Sequence, residues 1–572
     1  MAEMIIWWKE LNARLDSQNL APTAKNRQIY IELSKLHLDP PKWRKWGRDM
    51  LEAGLDPFPY IYTPGISTAI LAKKEGFDID SQIPEPIRPL DITADPNPFD
   101  EAAIKEKILA KAKQVHELQN TGAPLNLKDF GVVLSNKRRV LGYGEVPDGG
   151  EWITRGKVDC YEMATVGKVS LMLPIGINVE AIKHDHNIHD EYIAEILLLL
   201  ENLGVNFIQF EDFDGESAFR ILEWSRENLH TPVFNDDIEG TSWIILLGKL
   251  AARARYPTLS FRDSLFIFHG GGAAAVGTAN FLESYLTRKY DHSRIHHQFL
   301  MTDSAGLLYE GRTVKSKAVK TPRTVAPLSG DSSEGAKESG KPEFKLFQLK
   351  WVLKDQNLIK KINKKGQVVS LKETIELLGP SILGPNGAIF LVGLSTQPNQ
   401  FTAEVIKSAR QVMDSVPSRY SLPLFIDSCS NPTHKTEILT DEESKSLPTA
   451  SNGEKHQIIK KAIERVFNAA GNRLALTTGS PMHHPKYMVS QLNNFLAFPA
   501  AGLALLSRSL QPTTYNLQPD INKLGESIAM TCLRFLMTRE KDRFQKGALC
   551  PTSRDLLTLT REAAQEALFP HP

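Results

Sequence analysis

The sequence has few cysteines, no long apolar run and almost no net charge, and each scarcity argues against a class of protein. The four cysteines among 572 residues lie far apart and form no Cys-x-x-Cys pair. This argues against a zinc knuckle or a disulfide-stapled secreted fold and favours a reducing compartment. Lysine plus arginine (68) balances aspartate plus glutamate (67), leaving a formal charge of +1. So weak a field argues against a general nucleic-acid binder or a membrane-surface protein.

No segment predicts export or membrane insertion. The short apolar stretch near the N-terminus is followed at once by charges, and Glu3, Glu10 and Asp16 argue against an organellar transit peptide. The most apolar late segment, Phe495 to Leu506, is too short to span a bilayer and contains Pro499. We therefore expect a soluble cytoplasmic protein with neither a membrane nor a nucleic-acid partner.

Short apolar runs alternate with helical patterns, which predicts an α/β fold. The strand candidates are residues 131–134, 169–174, 205–210, 264–269, 299–302, 388–392 and 423–426, and the helix candidates include 7–15, 24–36, 41–53, 101–119 and 273–289. We predict a helical N-terminal region (1–95), an α/β domain (96–243), a second α/β domain with a parallel sheet (244–485) and a helical C-terminal segment (486–572). Within the second domain, residues 313–342 are rich in Lys, Ser, Thr, Pro and Gly and predict a mobile surface insertion.

A glycine-rich turn joins a predicted strand to a predicted helix. Gly270, Gly272 and Gly277 follow the apolar run 264–269 with the spacing G-x-G-x-x-A-x-G. Glycines at this spacing let a pyrophosphate approach the amides of a helix N-terminus, which is typical of dinucleotide binding. A plain packing turn is the alternative. Asp303 ends the next predicted strand, where an acid would bond a ribose hydroxyl, and no lysine or arginine follows before Arg312, which favours NAD over NADP.

Two acidic motifs lie in apolar surroundings. Glu211 and Asp212 follow a predicted strand, and both can face one ion only where the strand ends. Asp236 and Asp237 lie in a predicted loop before a helix. Acids so close to core residues need a compensating charge, and oxygen ligands without clustered His or Cys favour Mg²⁺ or Mn²⁺. Helix capping and surface solvation are the alternative.

A third motif brings an arginine and a lysine. Arg139, in RVLGYGE, can hold a carboxylate through two parallel hydrogen bonds. Lys157 follows a loop rich in Gly and Pro, and it can act as a base if a nearby cation and partial burial lower its pKa. A solvated lysine at a helix start is the alternative.

Nine motifs in order resemble those of one family. They are PYIYTP, RVLGYGE, IQFEDF, FNDDIEGT, GGGAAAVGTA, DSAGLLYEGR, SNPT, TGSP and NN-x4-P. Together they resemble the malic enzymes, the metal- and nicotinamide-dependent oxidative decarboxylases of malate, over about residues 20–560. The resemblance implies that 96–243 is the substrate- and metal-binding domain and 244–485 a Rossmann-like NAD-binding domain. It also implies that the C-terminal segment packs back on the active site.

The resemblance implies a role for each candidate residue. Tyr62 would be the general acid and Lys157 the base, while Arg139, Asn431 and Asn494 would bind the substrate. The implied ligands of a Mg²⁺ or Mn²⁺ ion are Glu211, Asp212 and Asp237, with Asp236 beside them, and the implied NAD contacts are Gly270, Gly272, Gly277, Asp303, Asn431 and Asn493. The implied reaction converts malate to pyruvate and CO₂ with hydride transfer to NAD, in a homo-oligomer such as a dimer or tetramer.

The pocket wall departs from the family pattern. Asn178 and Glu180 replace an Asp and a Gly, Glu145 stands where an Asp is usual, and Ala273 replaces the common acid of the glycine turn. Substrate identity and regulation therefore stay open. The alternatives are a related 2-hydroxydicarboxylate substrate, a malolactic-type conversion of malate to lactate with retained NAD, and a non-catalytic NAD-binding protein derived from a malic enzyme.

Overall fold

The computed structural model describes most of the chain. The described residues are 3–18, 20–62, 65–94, 99–119, 122–136, 146, 148–164, 171–290, 295–312, 344–362, 368–417, 422–509, 519–553 and 556–568. Arg139, Glu145 and the predicted insertion 313–342 lie outside these residues.

The N-terminal region is helical, as its proline-punctuated pattern predicts. Its helices are α1 (Glu3–Ser17), α2 (Pro22–Leu36), α3 (Pro40–Glu52), α4 (Phe58–Ile61) and α5 (Gly65–Lys74). Prolines occupy the first turns of α2 and α3, and the Asp39 side chain accepts a hydrogen bond from the Lys42 amide and so caps α3. Trp43 and Trp46 stack with their ring centroids 5.2 Å apart, and both are buried. The region therefore has a packed aromatic interior.

The first sheet has five parallel strands. They are β1 (Leu90–Thr93), β2 (Phe130–Ser135), β3 (Leu171–Asn178), β4 (Phe207–Glu211) and β5 (Val233–Asn235), in the order β1-β3-β2-β4-β5. The neighbouring helices are α6 (Glu101–Gln119), α7 (Trp152–Ala164), α8 (His186–Asn202), α9 (Gly215–Asn228) and α10 (Thr241–Arg255). Every residue of β2 and β4 is buried, which explains why these strands read as continuous apolar runs.

The second sheet has seven strands. They are β6 (Leu265–His269), β7 (Phe299–Asp303), β8 (Gly306–Leu307), β9 (Ile389–Gly393), β10 (Leu424–Ser428), β11 (Leu474–Thr478) and β12 (Val489–Gln491). Their order is β12-β11-β10-β9-β6-β7-β8, and all pairs are parallel except β7 with β8. Strand β6 lies between β7 and β9, so the strand order reverses there. In open α/β sheets such a reversal marks the ligand-binding crevice at the carboxyl ends of the strands.

Helices pack around the second sheet and form the end of the chain. Those of the sheet are α11 (Ala273–Tyr290), α12 (Gln356–Ile362), α13 (Leu371–Ile382), α14 (Ala403–Ser415), α15 (Asp441–Ser446) and α16 (Asn452–Ala469); the later ones are α17 (Phe498–Ser509), α18 (Ile521–Thr538), α19 (Lys541–Gln545) and α20 (Leu556–Leu568). Short 3₁₀ turns lie at Asp80–Gln82, Glu85–Ile87, Leu127–Asp129, Phe261–Asp263, Ile295–Gln298, Leu346–Trp351, Thr433–Lys435 and Asn494–Leu496. Within the described part of the chain, no helix has the length and apolarity that crossing a membrane requires.

The predicted α/β class is confirmed, with two parallel sheets and a helical N-terminal region. One cluster of buried apolar side chains surrounds the first sheet. A larger cluster runs from the N-terminal helices through α10 and the second sheet to the C-terminal helices. The first and last parts of the chain therefore pack into the same core, which places their side chains near the carboxyl ends of the strands.

Candidate active site

The first acidic motif lies where β4 ends. Glu211 is the last residue of the strand, and Asp212 follows it with a φ of 53°, outside the extended conformation. The strand therefore ends between the two acids, as their predicted convergence requires. The backbone amide of Asp212 donates to Oδ2 of Asp237 over 2.6 Å, which joins the two acidic motifs.

The second acidic motif forms a π-helical turn, Asp236–Gly240, that runs directly into α10. The prediction of a loop at this point was wrong. The Asn235 side chain accepts from the Ile238 amide at 2.9 Å and starts the turn. A Cβ at Gly240 would collide with the Asp236 carboxylate, so glycine gives that carboxylate its room.

Lys157 lies among these acids. It is fully buried on α7, its Nζ is 3.1 Å from Oε1 of Glu211, and it donates a hydrogen bond to Oδ2 of Asp236. Burial alone would lower the pKa of Lys157, but the charges of Asp236 and Glu211 outweigh it and hold that pKa well above its ordinary value. With these neighbours the side chain is an ammonium.

Burial disfavours the charged forms of two acids in this cluster. Burial raises the pKa of Glu211 well above its ordinary value, and it raises the pKa of Asp237 to about 6. Lys157 pairs with Glu211 and Asp236, and Oδ1 of Asp236 is buried with no hydrogen-bond partner among the described residues. Such a set of oxygen donors fits a hard divalent cation.

In the part of the chain that the structure describes, no three residues of the acidic cluster have ligand atoms within 4.8 Å of one another. Within the described residues, one group of three potential ligand atoms lies within 4.8 Å of one another, and it is His37, Asp159 and Glu162. Arg155 already neutralises that group, since it donates to Asp159 at 2.7 Å and to Glu162 at 3.1 Å. At the acidic site, Lys157 lies between Glu211 and Asp236.

Two aromatic rings enclose the Lys157 ammonium. Its Nζ lies 4.8 Å from the ring centre of Tyr62 and 4.6 Å from that of Phe498. Burial raises the pKa of Tyr62 well above its ordinary value, although the neighbouring charge of Lys157 opposes that rise. Tyr62 therefore stays protonated and in contact with the lysine. The structure brings the predicted acid and base together.

The predicted asparagines lie at two neighbouring places. Nδ2 of Asn494 donates to Oδ2 of Asp236 over 2.6 Å, so this residue joins the acidic cluster. Asn431 accepts from the Ser480 hydroxyl at 2.6 Å, and Asn493 donates to the Gly479 carbonyl at 2.9 Å. Asn431 and Asn493 therefore both contact the loop that follows β11.

The glycines of the turn after β6 have different surroundings. Gly270 has a φ of 129°, and a Cβ there would lie 2.5 Å from the Leu394 carbonyl oxygen. A Cβ at Gly272 would meet only the Gly270 carbonyl oxygen, at 3.3 Å. A Cβ at Gly277 would lie 2.5 Å from Cγ2 of Ile238. Gly270 and Gly272 therefore shape the turn, while Gly277 lets α11 approach the acidic turn.

Asp303 lies at the end of β7, but both its carboxylate oxygens accept from Arg312, at 2.9 and 3.0 Å. Arg312 is buried and also donates to the Gly306 carbonyl at 3.1 Å. The sequence suggests that Arg312 lies beyond the acid expected to bind the ribose, whereas the structure pairs Arg312 with Asp303. A ribose at this edge of the sheet would meet a neutralised acid.

Sequence reasoning missed two contributors to the site and gave a third, Asp236, only a secondary place. Phe498 stacks against the lysine without belonging to any charged motif. Asp236 was placed only beside the ligands, yet it accepts from both Lys157 and Asn494. Gln209 contacts Glu211 at 3.5 Å, and the strand alternation of IQFEDF could have revealed it, since positions i and i+2 share a face.

The two parallel sheets, with a glycine turn where the strand order of the second one reverses, define an α/β protein of the dinucleotide-binding class. A sequence model described as "Malic enzyme, NAD binding domain" matches residues 238–328 and 332–518. The NAD-dependent mitochondrial malic enzyme of Solanum tuberosum is 25% identical over 468 residues, covering 76% of this chain and 61% of the relative. The NAD-dependent malic enzyme of Acinetobacter baylyi is 25% identical over 413 residues, covering 68% and 60%.

These matches span about three-fifths of each curated relative's length. Among solved structures, the Entamoeba histolytica malic enzyme shares 18% identity at a TM-score of 0.50, covering 88% of this chain and 82% of that one. The NAD-dependent malic enzyme of Thermotoga maritima shares 17% identity at a TM-score of 0.50, covering 83% and 95%. The fold is therefore that of malic enzymes, and in sequence the chain is a distant relative of this family.

Proposed function

We propose that the protein catalyses the metal-dependent oxidative decarboxylation of malate to pyruvate and CO₂, with hydride transfer to NAD. The observation that carries this proposal is the position of the Lys157 amine, which contacts Glu211, Asp236 and Tyr62. A base, a proton donor and a set of oxygen ligands thus meet at one point. The distant family relationship and the NAD-dependent relatives support the same reaction.

The proposed base needs a neutral amine, and the surrounding charges decide when it has one. A Mg²⁺ or Mn²⁺ ion held by Glu211, Asp212 and Asp237 would act as a Lewis acid toward the substrate oxygen. Once the carboxylate charge is compensated, the pKa of Lys157 falls, because the interaction that raises it is weakened. Lys157 then accepts the proton of the malate C2 hydroxyl as hydride leaves C2.

Tyr62 is the proposed proton donor to the enol carbon that remains after CO₂ departs. Its high pKa keeps the phenol protonated, and the Lys157 amine, 4.8 Å from the centre of the Tyr62 ring, is close enough to return the proton taken from substrate to the phenol. Asn494 and Arg139 are the proposed substrate contacts, with Asn431 shared between substrate and cofactor. The cytoplasmic location and the homo-oligomeric state stay predictions of the sequence.

The direct test incubates the purified protein with malate, Mn²⁺ and either NAD or NADP, and records absorbance at 340 nm together with pyruvate and lactate. We expect NADH and pyruvate in equal amounts. Lactate without free NADH would indicate the malolactic reaction, and no product of either kind would indicate a non-catalytic NAD-binding protein.

The variant Lys157→Ala should lose turnover while it still binds NAD. The matched control Lys128→Ala removes an exposed lysine of the same α/β region and should keep turnover. If Lys157→Ala were as active as the parent, the assignment of the base would be wrong.

A further inference from the structure

A buried carboxylate with no cationic partner lies behind the glycine turn of the second sheet. Glu437 is fully buried, and its Oε1 accepts from the Ser395 amide at 3.1 Å and from the Ser430 hydroxyl. Its Oε2 accepts from the Ser428 hydroxyl at 2.8 Å. These partners are neutral, and among the described residues no lysine, arginine or histidine forms a salt bridge with Glu437.

Glu437 lies at the carboxyl ends of two neighbouring strands of the second sheet. Ser428 ends β10 and Ser395 follows β9, so the carboxylate ties together the two loops at the carboxyl ends of these strands. A Cβ at Gly393 would lie 2.7 Å from Cδ of Glu437, so glycine makes room for the acid inside the sheet edge. Glu437 therefore lies directly beneath these loops.

The same loops border the crevice where the strand order reverses. A Cβ at Gly270 would lie 2.7 Å from Cα of Ser395, so the glycine turn and the hydrogen-bond partner of Glu437 are in contact. In open α/β sheets a dinucleotide crosses the sheet at this crevice. A dinucleotide with its adenosine half on the β7 side would bring its nicotinamide half to the β9–β10 side, where the loops tied by Glu437 lie.

We propose that Glu437 sets the preference of the protein for the oxidised cofactor. The inference rests on the proposed binding of NAD. Burial raises the pKa of Glu437, and the hydrogen bonds from Ser430, Ser395 and Ser428 oppose that rise. The nicotinamide ring carries a positive charge in NAD⁺ and none in NADH, so an ionised Glu437 close to the ring would attract the oxidised form more strongly. Glu437 acts through the loops and does not touch the reacting atoms, so it is a specificity-determining residue.

The test measures the dissociation constants of NAD⁺ and NADH separately, by calorimetry for NAD⁺ and by nicotinamide fluorescence for NADH. The wild type should bind NAD⁺ at least as tightly as NADH. Glu437→Gln keeps the size of the side chain and removes the charge, and it should weaken NAD⁺ three- to tenfold relative to NADH. Glu437→Asp, which keeps the charge, should preserve the wild-type ratio within twofold.

Ser428→Ala is the matched control, because it removes a hydrogen bond to Glu437 and leaves the charge in place. It should change both dissociation constants by the same factor. Equal weakening of NAD⁺ and NADH by Glu437→Gln would overturn the proposal, as would a wild type that binds NADH ten times more tightly. A wild type that binds neither form would refute the proposed function itself, and this inference with it.

Discussion

Asn494 and Asp236 are 258 positions apart in the chain, yet the amide of one donates to the carboxylate of the other over 2.6 Å. The oxygen that accepts this bond also accepts from Lys157. One atom of Asp236 thus joins the C-terminal part of the chain to α7. The position of the proposed base depends on a residue that sequence reasoning treated as secondary.

Two glycines of one motif should respond differently to the same substitution. Gly272→Ala meets little but the Gly270 carbonyl, so we expect an unchanged fold and at least a tenfold weaker NAD⁺ affinity, because the methyl group occupies the phosphate approach. Gly277→Ala pushes against Ile238 and should cost about 1–3 kcal/mol of unfolding free energy. Urea unfolding and NAD⁺ titration of both variants separate the two effects. Equal loss of stability in the two would contradict this division of roles.

A divalent cation should bind the free protein at the acidic cluster. Titration with Mn²⁺, followed by the electron spin resonance signal of the free ion, should show one site that Asp237→Asn weakens at least tenfold, since the variant loses a charged oxygen ligand. The control variant Asp129→Asn changes an exposed aspartate that directly precedes β2, and it should leave the Mn²⁺ affinity unchanged. Identical Mn²⁺ affinity in Asp237→Asn and the wild type would remove this residue from the ligand set.

The metal-free protein should lose stability as the pH rises through the range in which Asp237 titrates. Burial raises its pKa from 3.8 to about 6, so between these values the folded protein holds a proton that the unfolded chain has released. The unfolding free energy contributed by this group therefore falls from about pH 4 to about pH 6 and stays lower above it.

Urea midpoints at pH 4.5 and pH 7 measure this effect, and Asp237→Asn should show a smaller decline than the wild type. Added Mg²⁺ should raise the wild-type midpoint at pH 7, because it compensates the carboxylate charge. The idea fails if wild type and variant show the same difference between the two pH values.

The reverse face of α7 should be important for stability. Arg155 is buried and neutralises Asp159 and Glu162, so Arg155→Met leaves buried acids without a cation and should cost about 3–5 kcal/mol of unfolding free energy. Arg288→Met breaks a more exposed pair with Glu526 and should cost about 0–1 kcal/mol. Urea unfolding of the two variants provides the comparison. Similar losses in both would show that the buried network contributes no more than a surface pair.

The sequence predicted the central strands of both sheets and missed several others. β2, β4, β6 and β9 are buried on both faces and read as apolar runs. β1 lies in the region predicted to be helical, and β5 and β12 have three residues each, so their patterns are weak. β11 ends in two buried threonines, and the Thr477 hydroxyl donates to Asp427, a partner 50 positions away that a local pattern does not contain.

Much of the candidate site followed from a general rule, since acids and glycines at the carboxyl ends of parallel strands meet at one edge of a sheet. The orientation within the cluster did not follow from it. A π-helical turn directs Asp236 toward Lys157 and Asp237 toward the Asp212 amide, and that choice depends on Asn235 and on the room left by Gly240. The Phe498 ring reaches the site through packing of the C-terminal helices, which has no signature in its local sequence.

The bond between Asn494 and Asp236 has a consequence for shortened forms of this chain. A splice product or proteolytic fragment that stops just after β12 retains the glycine turn, the whole second sheet and Glu437. It has lost the amide that fixes Asp236 and the ring that covers Lys157. It has also lost the C-terminal helices that share a core with α10 and the second sheet. Cofactor capture by a truncated form would therefore report on the remaining fold and not on the proposed reaction, which needs the C-terminal residues as well.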